Sequence, residues 1–153
     1  MVNLKNYKQL RFHHYGYVVN KIDQNIINSF FPIIIQKKPL LKFSDNQQKV
    51  KVAFFKTKLN GYLELVEPMN SGSPVSNFLK KNRFGGLHHV CFEADNLIKT
   101  ILFLKKNKFI KITPIKVGFE ERDIVFMMPE DKTNFLVELI SKSKKKTILP
   151  TKK

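Results

Sequence analysis

The sequence holds four histidines, and all of them fall in two dipeptides, His13-His14 and His88-His89. The run Phe12-His13-His14-Tyr15-Gly16-Tyr17-Val18-Val19 lines up with Leu87-His88-His89-Val90-Cys91-Phe92-Glu93-Ala94. A glutamate follows each at nearly the same interval: Glu64 lies 50 residues after His14, and Glu138 lies 49 after His89. Both glutamates interrupt apolar runs, Tyr62-Leu63-Glu64-Leu65 and Leu136-Val137-Glu138-Leu139. Two imidazoles and two carboxylates suit a divalent ion such as Zn, Co, Ni, Mn or Fe. Four such ligands leave two adjacent octahedral positions for a chelating substrate, which is an open, catalytic arrangement. Taken singly, a mid-strand histidine is usually a satisfied core residue and a mid-strand glutamate a solvated one. The matched set is what points to a metal. His13 and His88 are read as structural or as supports behind the ligands.

Such a set must be positioned by strands. Both histidine runs are rich in aromatic and β-branched residues. Alternation puts His14 on one face with Gly16 and Val18, and His89 with Cys91 and Glu93. Small residues there leave room for a cavity. The other face, with Tyr15, Tyr17, Val90 and Phe92, is expected to pack on helices. Helical spacing of apolar residues predicts helices over 23–31 and 96–106, the second capped by Asp95 or Asn96. Further strands are expected at about 39–43, 49–56 and 62–67, then 108–114, 123–128 and 134–140. Asn60-Gly61 signals a hairpin. A linker helix over about 73–82 is expected to start with Ser73 as N-cap and Pro74 at its first position.

The chain therefore reads as α+β, with two βαβββ modules at about 10–70 and 86–141 in a single domain over 1–141. The 153 residues, 42% of them hydrophobic, are enough for one buried core. A single cysteine, Cys91, excludes an internal disulfide and fits a reducing cytosol. Residues 1–11 carry no apolar targeting segment, and the most apolar run, 30–35, is too short to span a membrane. The net charge is +16, but Arg11, Arg83 and Arg122 are the only arginines. Six lysines fall in 142–153, read as a solvated, flexible tail. Charge of this kind draws in a small anionic substrate rather than specifying nucleic acid or membrane. A cytoplasmic protein is expected.

With these residues in view, the chain resembles the vicinal-oxygen-chelate (glyoxalase/bleomycin-resistance) superfamily, and within it the methylmalonyl-CoA epimerases. The most specific stretches are Tyr62-Leu63-Glu64-Leu65-Val66-Glu67-Pro68, Ser73-Pro74-Val75-Ser76-Asn77-Phe78-Leu79-Lys80-Lys81-Asn82, Gly85-Gly86-Leu87-His88-His89-Val90 and Phe135-Leu136-Val137-Glu138-Leu139. The resemblance implies paired modules forming a cupped mixed sheet around a metal held by His14, Glu64, His89 and Glu138, in a homodimer. It implies an epimerase or isomerase that stabilises an enolate after α-proton abstraction from an acyl-CoA or other oxyacid, with Glu138 near the chemistry. Ser73 and Arg122 are read as substrate contacts, the arginine because its fork suits a carboxylate or phosphate, although a solvated surface setting is the commoner one for an arginine.

Two departures stand out. The family's proton-transfer glutamate corresponds to Gln47, and an amide cannot accept that proton at neutral pH. The family's small glycine-rich substrate loop is here Gly118-Phe119-Glu120-Glu121-Arg122-Asp123, bulkier and charged. A glyoxalase-like lyase or isomerase, or a non-catalytic ligand-binding module of the resistance type, are the alternative readings.

Overall fold

The computed structural model describes residues 10–131 and 136–151. Its elements in chain order are β1 (Leu10–Val18), α1 (Gln24–Ser29), β2 (Leu41–Asp45), β3 (Val50–Lys56), β4 (Tyr62–Pro68), α2 (Ser76–Lys81), β5 (Gly86–Ala94), α3 (Leu97–Lys106), β6 (Phe109–Lys111), β7 (Lys116–Val117), β8 (Asp123–Pro129) and β9 (Leu136–Ser141). The chain divides into two compact modules. One runs from 14 to 88; the other joins 10–13 to the described part of 89–151.

In the first module the strand order is β2-β3-β4-β1. β4 runs parallel to β1 and antiparallel to β3, which pairs antiparallel with β2. Alternation sends Tyr15 and Tyr17, Ala53 and Phe55, Leu63 and Leu65 to one side, where Ile26, Ile27 and Phe30 of the α1 region meet them. That is the packing expected of the bulkier face. The helix is shorter than 23–31. Asp23 is its N-cap, accepting from the Ile26 amide at 3.0 Å, and the helix ends before Phe30. The chain turns on past it, the Phe30 carbonyl accepting from the Ile33 and Ile34 amides at 2.9 and 3.0 Å, and Pro32 has no amide to carry the helical ladder through.

The second module repeats the pattern as β5-β9-β8-β6, with β7 also paired to β8. Here β9 runs parallel to β5 and antiparallel to β8. Ala94, Val125, Met127, Val137 and Leu139 form the helix-facing core with Leu97 and Ile101 of α3. Asn96 caps that helix by accepting from the Lys99 amide at 3.0 Å.

Of the strand expected at 108–114 only β6 forms, and β7 is a separate piece that starts beyond it at Lys116. Thr113 Oγ1 takes the Phe126 amide at 3.0 Å, and Pro114 offers no donor, so the backbone ladder is interrupted. Similarly, β2 begins at Leu41 rather than at Pro39. Of the strand expected at 134–140, β9 accounts for all but residues 134 and 135, which lie outside the described residues.

Two further expectations are corrected. The linker helix starts at Ser76, not beside Ser73, and its N-cap position Val75 makes no side-chain cap bond. Ser73 and Pro74 instead form a preceding turn in which the Ser76 amide donates to the Ser73 carbonyl at 3.0 Å. Residues 142–151, expected as a solvated tail, fold back onto the second module. Leu149 is fully buried. Its carbonyl accepts from His13 Nε2 at 3.2 Å, and Thr151 Oγ1 donates to Glu93 at 2.8 Å. The lysine-rich count concealed a stretch, Thr147-Ile148-Leu149-Pro150-Thr151, with its own apolar anchor. Among the described residues, no helix is long and apolar enough to cross a membrane.

Candidate metal centre

Each module turns one His–Glu pair to the face opposite its helix. In the first, His14 is buried and its Nε2 stands 3.4 Å from Glu64 Oε2. In the second, His89 is buried and its Nε2 stands 3.4 Å from Glu138 Oε2. The register is the same in both. Glu64 lies opposite Gly16, two residues past His14, and Glu138 lies opposite Cys91, two residues past His89. The difference between 50 and 49 intervening steps is therefore absorbed outside the paired strands.

The separation fits shared coordination. Ligand bonds of about 2.1 Å place adjacent donor atoms about 3.0 Å apart at a right angle and about 3.4 Å apart at the tetrahedral angle. A direct N–H···O hydrogen bond would be shorter, near 2.9 Å. The donor set of each pair, one imidazole nitrogen and one carboxylate oxygen, belongs to zinc and its borderline neighbours.

Sequence reasoning missed one phenylalanine beside each pair. Phe54 on β3 lies opposite Glu64 and meets the His14 ring edge-on, with centroids 5.2 Å apart and planes at 80°. Phe126 on β8 lies opposite Glu138 and meets His89 likewise, at 5.4 Å and 87°. An edge-on aromatic fixes the imidazole plane and keeps water from its flank. Aligning Ala53-Phe54-Phe55 with Val125-Phe126-Met127 in the two repeats was the signal that could have found them.

The other residues singled out from sequence are dispersed. Gln47 is exposed in the turn between β2 and β3, beyond Val50, which is itself about 13 Å along its strand from Phe54. Asp45, its only nearby carboxylate in the sequence, caps that turn by accepting from the Gln48 amide at 2.9 Å. Neither is brought to the His14–Glu64 pair.

Arg122, whose commonest expected setting was a solvated surface, is buried. Its Nε donates to the Ser141 carbonyl at 2.6 Å and its Nη2 to Glu93 Oε2. Glu93 lies four residues past His89, about 13 Å along β5, so the structure brings Arg122 to the far end of that face. The other Glu93 oxygen accepts from Arg11 Nη2 at 2.8 Å, and Arg11 also binds Asp95 at 2.6 Å. Burial opposes ionisation of Glu93, but hydrogen bonds from Arg11 and Thr151 and the charges of both arginines outweigh it, holding the carboxyl below its ordinary value of 4.5. The hydrogen bond from Arg11 likewise holds Asp95 below 3.8.

Among the described residues, two buried side-chain polar atoms lack a hydrogen-bond partner, Ser73 Oγ and Arg122 Nη1. Leaving such a group unmade costs about 1–3 kcal/mol, so each calls for a reason. They belong to the two residues the sequence had marked for substrate contact. His13 is structural, through its bond to Leu149, and His88 stacks edge-on with Phe78 at 5.1 Å.

Residues 13–126 match the family model of the glyoxalase/bleomycin resistance protein/dioxygenase superfamily. The chain is similar to mitochondrial methylmalonyl-CoA epimerase of Mus musculus, with 41% identity over 81 residues, 52% of this chain and 46% of that protein. It thus spans about half the length of that relative. The uncharacterized protein YqjC of Bacillus subtilis is 32% identical over 130 residues, 84% of this chain and 90% of its own. Among solved structures, Streptomyces coelicolor methylmalonyl-CoA epimerase in complex with 2-nitronate-propionyl-CoA has the same fold. Its TM-score is 0.73 at 22% identity, covering 90% of this chain and 100% of that one. The family model takes in well over half of the residues, including His14, Glu64, His89 and Phe126, and the chain belongs to the glyoxalase/bleomycin resistance protein/dioxygenase superfamily, with its vicinal-oxygen-chelate fold.

Proposed function

We propose that this chain is a divalent-metal-dependent epimerase or isomerase of acyl-CoA thioesters, with His14, Glu64, His89 and Glu138 as the ligands. The observation that carries the reading is the repeat of one His–Glu pair, at one separation and one register, in both modules. The mouse relative is named for methylmalonyl-CoA, and the Streptomyces structure holds an acyl-CoA. A net charge of +16 favours a substrate bearing phosphates and a carboxylate.

When bound, the ion supplies Lewis acidity to two neighbouring substrate oxygens. The rest is done by the chain. Glu138 takes the α-proton, since a carboxylate can face an ion with one oxygen and keep lone pairs on the other. The proton that returns to the opposite face comes from solvent, because Glu64 as a ligand is ionised and carries none to give. Gln47 has no part in proton transfer, being an amide on an exposed turn. Ser73 Oγ and Arg122 Nη1 take up polar groups of the substrate. Arg122, held on Glu93 about 13 Å along β5 from His89, serves the distal part rather than the reacting carbon. Phe84 and Leu87, both exposed, supply apolar surface for a homodimer contact.

The position of Gln47 favours one second reading, a glyoxalase-like isomerisation in which the proton returns on the face it left and a single carboxylate suffices.

The test is deuterium uptake from heavy water into methylmalonyl-CoA by metal-loaded protein. Rapid α-exchange is expected, and Glu138→Gln, which keeps an oxygen donor, should slow it about 10²–10⁴-fold. Metal-loaded protein that exchanges no α-proton would overturn the epimerase reading.

A further inference from the structure

The segment from Gly118 to Arg122 is pressed onto the ligand-bearing face of the second module. Phe119 packs against Cys91, Ile124 and Ile140. Cys91 is the register partner of Glu138 and lies two residues from His89. Phe119 therefore occupies the layer next to the His89–Glu138 pair. The approach is close: a Cβ on Gly118 would come within 2.9 Å of Ile124 Cγ2, so a side chain there would force the loop or Ile124 to shift.

The loop is also held under strain. Glu120 and Glu121 both adopt left-handed backbone, with φ of 56° and 57°. Non-glycine residues in that region cost on the order of 1–3 kcal/mol each and persist only when their surroundings over-determine them. Here the surroundings are the chain 147–149. Thr147 Oγ1 donates to Glu120 Oε2, and the Ile148 amide donates to Glu120 Oε1 at 2.7 Å. Leu149 is anchored in turn on His13, whose ring lies 6.2 Å from that of Phe119. Residues 147–149 thus brace the loop through its glutamate, and the loop presents Phe119 to the layer beside the ligands.

We propose that Phe119 is the specificity-determining wall of the reaction chamber, limiting the size of the group carried on the substrate's α-carbon, and that Glu120 with Thr147 is the latch that positions it. This rests on the acyl-CoA reading above. A wall of this kind discriminates by volume, and one methylene in an apolar pocket is worth about 10–200-fold.

The experiment compares methylmalonyl-CoA with ethylmalonyl-CoA, read both as binding to the metal-loaded protein by calorimetry and as α-deuterium exchange. Phe119→Ala should improve the ethyl-to-methyl affinity ratio at least about tenfold, with Phe119→Leu in between. The double variant Glu120→Ala, Thr147→Ala should move the ratio the same way while speeding amide exchange in 118–122. An unchanged ratio in a folded Phe119→Ala protein that still binds methylmalonyl-CoA would overturn the proposal. So would a latch variant whose loop exchange is that of the wild type. If the affinity ratio responds while neither protein exchanges an α-proton, the wall stands and the epimerase reading falls.

Discussion

Cys91 faces Glu138 in the parallel register of β9 on β5, so the glutamate stands two residues beyond His89 rather than directly opposite it. Gly16 faces Glu64 in the same way in the first module. A small residue at that point leaves the carboxylate free to lean back toward its histidine. Cys91→Leu should therefore weaken metal binding at least about tenfold and cost about 1–3 kcal/mol through overpacking. Cys91→Ala should leave metal affinity close to wild type. Competitive titration against a chelating dye separates the two variants.

The edge-on phenylalanines are expected to differ in their effects on stability. Phe54 is 1% exposed, and Phe54→Ala should cost about 3–5 kcal/mol in urea denaturation. Phe126 is only half-buried and should cost less. Both variants should also loosen metal binding, because each frees the ring plane of its histidine.

The Arg11–Glu93–Arg122 cluster predicts acid sensitivity. Glu93 and Asp95 titrate below their ordinary values in the folded protein. Their stabilisation is thus complete above about pH 4.5, and it is lost as pH falls from there through the lowered folded values. Thermal melts should hold steady above pH 5 and decline below pH 4.5. Glu93→Ala should flatten that decline and, by leaving Arg122 buried beside one fewer partner, cost about 3–5 kcal/mol at neutral pH.

Gly85 joins the α2 turn to β5 with φ of +81°, and a Cβ there would lie 2.2 Å from the Val18 carbonyl oxygen. Gly85→Ala must both strain its backbone and push β1 aside. A loss of at least roughly 1–3 kcal/mol is expected, measurable by chemical denaturation.

Periodicity and repetition carried most of the fold. The two histidine strands, the glutamates at matched offsets and the Asn96 cap follow from local pattern, which one sequence displays directly. Features built across long separations did not show. Arg122 finds Glu93 29 residues away and shares it with Arg11, whose bonds to Glu93 span 82 residues. No local signal marks such a partner. The linker start was misplaced because Ser-Pro suits both a helix N-terminus and the turn that precedes one. Phe54 and Phe126 looked like ordinary core residues until the strand register placed them opposite the glutamates. Leu149 was hidden by the lysines around it, although burial is decided by one side chain and not by the average charge of a segment.

Metal content tests most directly the proposed binding of one ion by His14, Glu64, His89 and Glu138. Purified protein would be stripped, reconstituted with Zn, Co or Mn, desalted and analysed for bound metal, alongside His14→Ala and His89→Ala variants whose folding is checked by circular dichroism. One ion per chain in the wild type, with stoichiometry lost in both variants, is the result expected. No retained metal in the wild type, or a full equivalent still held by either variant, would contradict it.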